Sequence, residues 1–131
     1  MRKALLPVLM LVILSVVACK KDKDKKSEYP TIYLHDCVSN IKSYDGIRLC
    51  FDNAVDQRCP EDVECFWGGY AIGYFTFTRS NIDHPLTIFL NRDTVVDGYK
   101  IKFVNLVPKP RVHGPARSAS DVKAELEVTK L

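Results

Sequence analysis

Residues 56–69 read D-Q-R-C-P-E-D-V-E-C-F-W-G-G, and residues 70–78 continue Y-A-I-G-Y-F-T-F-T. The first stretch is a corner. Cys59 and Cys65 bracket a short acidic loop, Pro60 fixes one of its dihedrals, and Gly68-Gly69 breaks the chain after Trp67, the only tryptophan. The second stretch is a strand. Its aromatic and β-branched residues favour the pleated backbone, and it is apolar or aromatic on both faces. That pattern suits a central strand covered on both sides. Gly73 within it marks a bulge or a close backbone approach. Trp67, at the entry to the most apolar strand, is expected to pack into the core beside the cysteine pair.

The flanking sequence keeps the same grammar. Residues 31–38 are rich in β-branched and aromatic residues, and residues 40–46 carry turn signals ending in Asp45-Gly46. Ile47, Leu49 and Phe51 then alternate with Arg48 and Cys50. Residues 80–85 read as a turn, after which Leu86, Ile88 and Leu90 alternate with Thr87, Phe89 and Asn91. Asp97-Gly98 predicts a tight hairpin joining a short strand at 94–96 to a long one at 99–107. In the long strand Tyr99, Ile101, Phe103 and Val107 oppose Lys100, Lys102 and Val104. Residues 108–120, with Pro108, Pro110, Gly114 and Pro115, read as a loop and as the least ordered part of the domain. Val122, Ala124, Leu126 and Val128 alternate strictly with Lys123, Glu125, Glu127 and Thr129, a strand with one face in water. The expected fold is all-β, an antiparallel β-sandwich or small barrel of about seven short strands.

The N-terminal residues are of another kind. Arg2 and Lys3 precede a nearly unbroken apolar run over 5–17, closed by the small Ala18. The run is short of the about 20 residues a spanning helix needs. Residues 1–18 therefore read as a secretion signal, with a retained membrane anchor as the rival. Leu14-Ser15-Val16-Val17-Ala18-Cys19 resembles the bacterial lipobox, which implies cleavage before Cys19 and acylation of it. Several acyl chains would hold the protein in a lipid bilayer, each buried methylene contributing about 0.8 kcal/mol. Residues 19–28 are then the lipidated cysteine and a charged tether with nothing apolar to offset ordering entropy. A charged stretch at this place is similar to the surface-export signals of Bacteroidetes lipoproteins, and Lys20 replaces the Asp of inner-membrane retention. Together these imply a lipid-anchored protein of the bacterial cell envelope, at the outer membrane. Residues 29–131 remain as a single β domain.

The formal charge is +3, but beyond residue 28 there are 12 Lys and Arg against 13 Asp and Glu. No basic stripe stands out, so no nucleic-acid partner is expected.

Asp56, Arg58, Cys59, Pro60, Val63, Cys65, Trp67 and Gly69 spell D-x-R-C-P-x-x-V-x-C-x-W-x-G. Residues 99–110, Y-K-I-K-F-V-N-L-V-P-K-P, look like a second pattern, V-x-L-x-x-V-x-P-x-P. The pair resembles small lipoproteins of Bacteroidetes and related bacteria. The resemblance implies a β-rich lipoprotein and brings no activity with it. Of five cysteines, lipidation of Cys19 leaves Cys37, Cys50, Cys59 and Cys65, an even number that favours disulfides in an oxidising compartment. Proximity and the motif favour Cys59 with Cys65. Cys37 with Cys50 is the remainder, and crossed pairings stay open because the Asp45-Gly46 turn does not obviously set those two opposite each other.

Chemistry is thinly signalled. There is no G-x-S-x-G, no H-E-x-x-H and no glycine-rich phosphate loop, so no catalytic residue and no cofactor is expected. A thiolate pair with His35, His84 or His113 would make a zinc site, but the spacing of Cys59 and Cys65 is wide for one. Asp52, Asp56, Glu61, Asp62 and Glu64 lack the alternation and turn glycine of a calcium loop and read as a solvated acidic edge. No metal is expected. Tyr70 and Tyr74 share one strand face near Trp67; exposed, it would stack on a glycan or a protein, and core packing is the competing reading. The chain reads as a membrane-anchored, extracytoplasmic, non-enzymatic β domain that binds or scaffolds at the envelope. The alternatives are a redox or hydrolytic envelope enzyme and a metal-binding domain.

Overall fold

The computed structural model describes residues 27–41 and 44–131. The signal over 1–18, the acylated Cys19 and the tether up to residue 26 lie outside the described residues. The strands are β1 (Ser27–Glu28), β2 (Thr31–Tyr33), β3 (Cys37–Ile41), β4 (Tyr44–Asp56), β5 (Ala71–Arg79), β6 (Ile82–Phe89), β7 (Asp93–Val96), β8 (Tyr99–Val107) and β9 (Lys123–Lys130). All pairs are antiparallel. One sheet has the order β1-β9-β8-β7, with β2 also paired to β9; the other has the order β3-β4-β5-β6. They stack as a sandwich around one apolar core.

Nine described strands replace the seven expected. Ser27 and Glu28, assigned to the tether, pair with Thr129 and Val128 as β1. The 31–38 run is two strands in different sheets. His35 takes φ +66°, and the chain crosses over there. The Leu34 amide donates to the Val122 carbonyl and the His35 amide to the Phe51 carbonyl, each at 2.8 Å. Asp45 and Gly46, expected in a turn, lie inside β4. The turn expected over 80–85 shrinks to Ser80-Asn81, both at positive φ, as a two-residue hairpin demands. Pro85 falls within β6, where it is tolerated because β6 is a sheet edge. Asp97 and Gly98 make the expected hairpin, also at positive φ.

The core is aromatic at its centre. Phe51 stacks on Phe75 at 5.1 Å, and Phe75 meets Phe103 of the facing sheet edge-on at 5.3 Å. Gly73 belongs to this cluster. A Cβ there would lie 2.4 Å from the Phe75 ring and 3.0 Å from that of Phe103. β5 is central within its sheet, yet only one sheet stacks on it. Ala71, Gly73, Phe75 and Phe77 are buried, while Ile72, Tyr74, Thr76 and Thr78 are half-exposed. The expectation of cover on both sides does not hold. In β8 the register shifts between Phe103 and Asn105. One extra residue flips the parity, so Leu106, and not Val107, is buried in the core.

The ends of the sandwich differ. At one end β4 passes into β5 through residues 57–70, beside the 108–120 segment joining β8 to β9. At the other lie the Asp97-Gly98 turn and Ser27, opposite Thr129.

Candidate functional site

The β4–β5 pairing runs past its last ladder partners, Asp56 and Ala71. The Gln57 amide donates to the Tyr70 carbonyl at 2.8 Å, and the Cys59 amide to the Gly68 carbonyl at 3.1 Å. Residues 57–70 are thus a stem with a loop at its tip. The Cys59–Cys65 disulfide closes that tip, with Cα atoms 5.9 Å apart. By chain entropy so short a ring contributes about 2–2.5 kcal/mol. The second disulfide joins Cys37 to Cys50, direct register partners on β3 and β4; the longer closure contributes about 3 kcal/mol. Both pairings match the leading expectation, and no crossed pairing forms.

The 108–120 segment, expected to be a loop, is one, and it is clasped to the stem by residues that read as a solvated acidic edge. The Glu61 amide donates to the Pro110 carbonyl at 3.0 Å, and the Glu61 carboxylate pairs with Arg111. Asp62 accepts from the amides of Val112 at 2.9 Å and His113 at 2.8 Å, with His113 Nδ1 at 3.2 Å. Deeper in, Arg58 forks onto Asp56 through Nε and Nη2, each at 2.8 Å. Arg117 reaches the same carboxylate at 3.0 Å and the Pro108 carbonyl at 2.7 Å. Asp56 and Arg58 side chains are only 8% and 12% exposed. That sets the pair apart from the exposed Arg79–Asp97 pair at the opposite end, of a kind that contributes little. Burial works against the charge on Asp56, but the hydrogen bonds from Arg58 and then Arg117 outweigh it, and its carboxyl titrates below the ordinary range.

Asp62 is held lower still, at about 2, by the amides of Val112 and then His113. A depressed carboxyl stabilises the fold above its unfolded pKa and loses that contribution as pH falls through the folded value. The clasp should therefore be intact above pH ~4 and should open as pH falls through about 2. The amide NMR resonances of Val112 and His113 are expected to titrate together in this window. In Asp62→Ala they should lie near their opened positions at neutral pH. A Val112 amide indifferent to both changes would show that Asp62 does not hold the loop.

The aromatic residues lie where the sequence did not put them. Trp67 is 76% exposed and Phe66 fully exposed, at 103%. The expected insertion of Trp67 into the core is overturned. With the stem paired and the ring closed, the tip projects beyond the end of the sheets. Tyr70 is 51% exposed and leans on Phe89, ring centroids 6.3 Å apart. Tyr74 shares the outer face of that strand, half-buried, about 13 Å further along at strand rise. Trp67 and Tyr70 therefore share one end of the molecule, while Tyr74 sits on the flank. A crevice of about 310 Å³ runs beside the tip, lined by residues 57–60 and 65–67.

Phe66 and Phe89 are exposed aromatics of this end that do not stand out in the sequence as candidates. Phe66 had a signal, since consecutive large aromatics between a disulfide and Gly-Gly cannot both turn inward from a loop tip. Phe89 had none, because its nearness to Tyr70 depends on the β5–β6 register. The partners of Glu61 and Asp62 stand about fifty residues downstream, beyond any local pattern. Cys37, Cys50, Cys59 and Cys65 are all in disulfides, so none supplies a thiolate. Among the described residues no three His, Cys, Asp or Glu side chains are placed to hold a metal ion. The chain matches no protein-family model, no curated protein and no solved structure.

Proposed function

We propose that the chain is a lipid-anchored, non-enzymatic binding domain of the bacterial cell envelope, and that its contact surface is the stem tip over residues 63–70. The observation that carries the reading is the exposure of Phe66 and Trp67 on a loop held by a disulfide, two stem hydrogen bonds and the Asp62 clasp. Large aromatics left in water at the end of a rigid support are the residues that dominate binding energy in interfaces. Preorganisation lowers the ordering cost of association. An acyl anchor on Cys19 reaches the domain through Ser27, opposite Thr129 on β9. The stem tip lies beyond Lys123, about 20 Å away along that strand. The tip and the tether's point of attachment therefore lie at opposite ends of the domain.

Two measurements test this. In Cys19→Ser, acyl labelling should vanish and the protein should leave the membrane fraction; retained labelling would remove the anchor from the reading. For the tip, Phe66→Ala with Trp67→Ala should change unfolding free energy by no more than about 0.5 kcal/mol, as for surface residues. A photoreactive residue in place of Glu64 should give a discrete envelope adduct in the full chain, lost in the double variant. An adduct that survives without the aromatics, or a double variant that unfolds, defeats the assignment of the tip.

A further inference from the structure

We infer that residues 108–117, in the connection between β8 and β9, form a second binding site apart from the stem tip, and that its ligand is a phosphomonoester. β8 and β9 are antiparallel neighbours, which a turn of about 2–5 residues could join. The chain instead runs from Pro108 to Val122 between them. The extra length, with Glu61 and Asp121, walls a cavity of about 580 Å³. Small-molecule sites are of this size, mostly apolar, with a few polar groups that fix the ligand. Pro108, Pro110, Val112, Pro115 and Ala116 supply the apolar wall, and Lys109, Arg111 and Arg117 supply cations.

The walls are fixed without a ligand. Arg117 Nη1 donates to Asp56 at 3.0 Å and to the Pro108 carbonyl at 2.7 Å, tying residue 117 back to the start of the loop. Arg111 is held by Glu61 through Nε, and Asp62 holds the amides of Val112 and His113. These bonds leave donors unused. Among the described residues, Nε and Nη2 of Arg117, both terminal nitrogens of Arg111 and the Lys109 ammonium make no hydrogen bond or ion pair. A guanidinium carries five N–H donors in a planar fork that matches phosphate. Two carboxylates face the same cavity. Asp121 accepts from the Ser118 amide, and Glu61 offsets part of the Arg111 charge. Three cations against two carboxylates leave the lining with one positive charge in excess. A phosphomonoester brings more than one negative charge and three strong acceptor oxygens, one for each cationic side chain. A bare phosphate fills only a few times the about 30 Å³ of a water, so the proline-rich side receives the organic body of the ligand.

The test is an NMR titration of the full chain in uncharged detergent micelles. In one arm phenyl phosphate is added to the buffer as a soluble phosphomonoester. In the other, phosphatidic acid is mixed into the micelles and presents the same group as a lipid headgroup. The amide resonances of residues 109–117 should move saturably. Movement in the first arm alone identifies a soluble ligand, and in the second alone a headgroup; either supports the site. Lys109→Ala with Arg111→Ala should weaken binding by at least about tenfold, as for lost charge-assisted hydrogen bonds. Glu61→Gln removes a carboxylate that faces the cavity and should tighten binding by up to about fivefold, the scale of one exposed charge pair. A merely damaged loop would not bind more tightly. No saturable movement in either arm, an affinity indifferent to Lys109 and Arg111, or a Glu61→Gln variant that binds no tighter overturns the proposal. Benzoate binding as tightly as phenyl phosphate also overturns it, because a single carboxylate would then suffice.

Discussion

Gly69→Ala is expected to destabilise the domain by about 2–5 kcal/mol, the sum of a left-handed backbone penalty and a steric one. Gly69 sits at φ +69°, and a Cβ there would lie 1.9 Å from the Gln57 carbonyl oxygen and 2.8 Å from the Arg58 Cα. Both neighbours are backbone, so no side chain can swing aside. The stem must open instead. Opening strains the bonds from Gln57 to Tyr70 and from Cys59 to Gly68, together with the Arg58 fork on Asp56. The adjacent glycine is the control. Gly68 has open space where its Cβ would be and no positive φ, so Gly68→Ala should be near neutral. Denaturant unfolding of the two variants side by side decides the matter. Equal midpoints would mean that the stem is not packed as described.

Phe75→Ala should cost about 3–5 kcal/mol, the range for deleting a buried aromatic ring. Phe75 links the sheets, stacked on Phe51 within its own and edge-on to Phe103 of the other. Its ring also occupies the space left by Gly73, so deletion empties a volume that the neighbouring strands cannot close by a small shift. Phe89→Ala, an equal change of chemistry at a half-exposed position, should cost far less. The same melts, with calorimetry, measure both. A Phe75 variant that melts with wild type would place the centre of the core elsewhere.

Much of this fold was legible in local pattern. The strict alternation over 122–129 becomes β9, with Ala124, Leu126 and Val128 buried. Asp97-Gly98 makes its hairpin. Proximity in the chain favoured Cys59 with Cys65, as found, whereas Cys37 with Cys50 was left open by the sequence and is set by the β3–β4 register. Other features of the fold depend on partners distant in the chain. The bulge at Val104 exchanges Leu106 for Val107 in the core, and only the pairing with β9 imposes it. The sheet switch at His35 depends on carbonyls from Val122 and Phe51.

The functional end divides the same way. By itself the sequence determined that residues 56–69 form a proline-stiffened, disulfide-closed corner leading into an aromatic strand. Those features follow from backbone preferences and from cysteines near each other in the chain. Tertiary structure alone decided which way the corner faces. Trp67 reads as a core residue by composition, but a side chain is buried only when another element lies against it. Here β5 is covered on one face, and the tip runs beyond both sheets. The 108–120 segment that does reach the stem binds the Glu61–Asp62 side and leaves Phe66 and Trp67 in water.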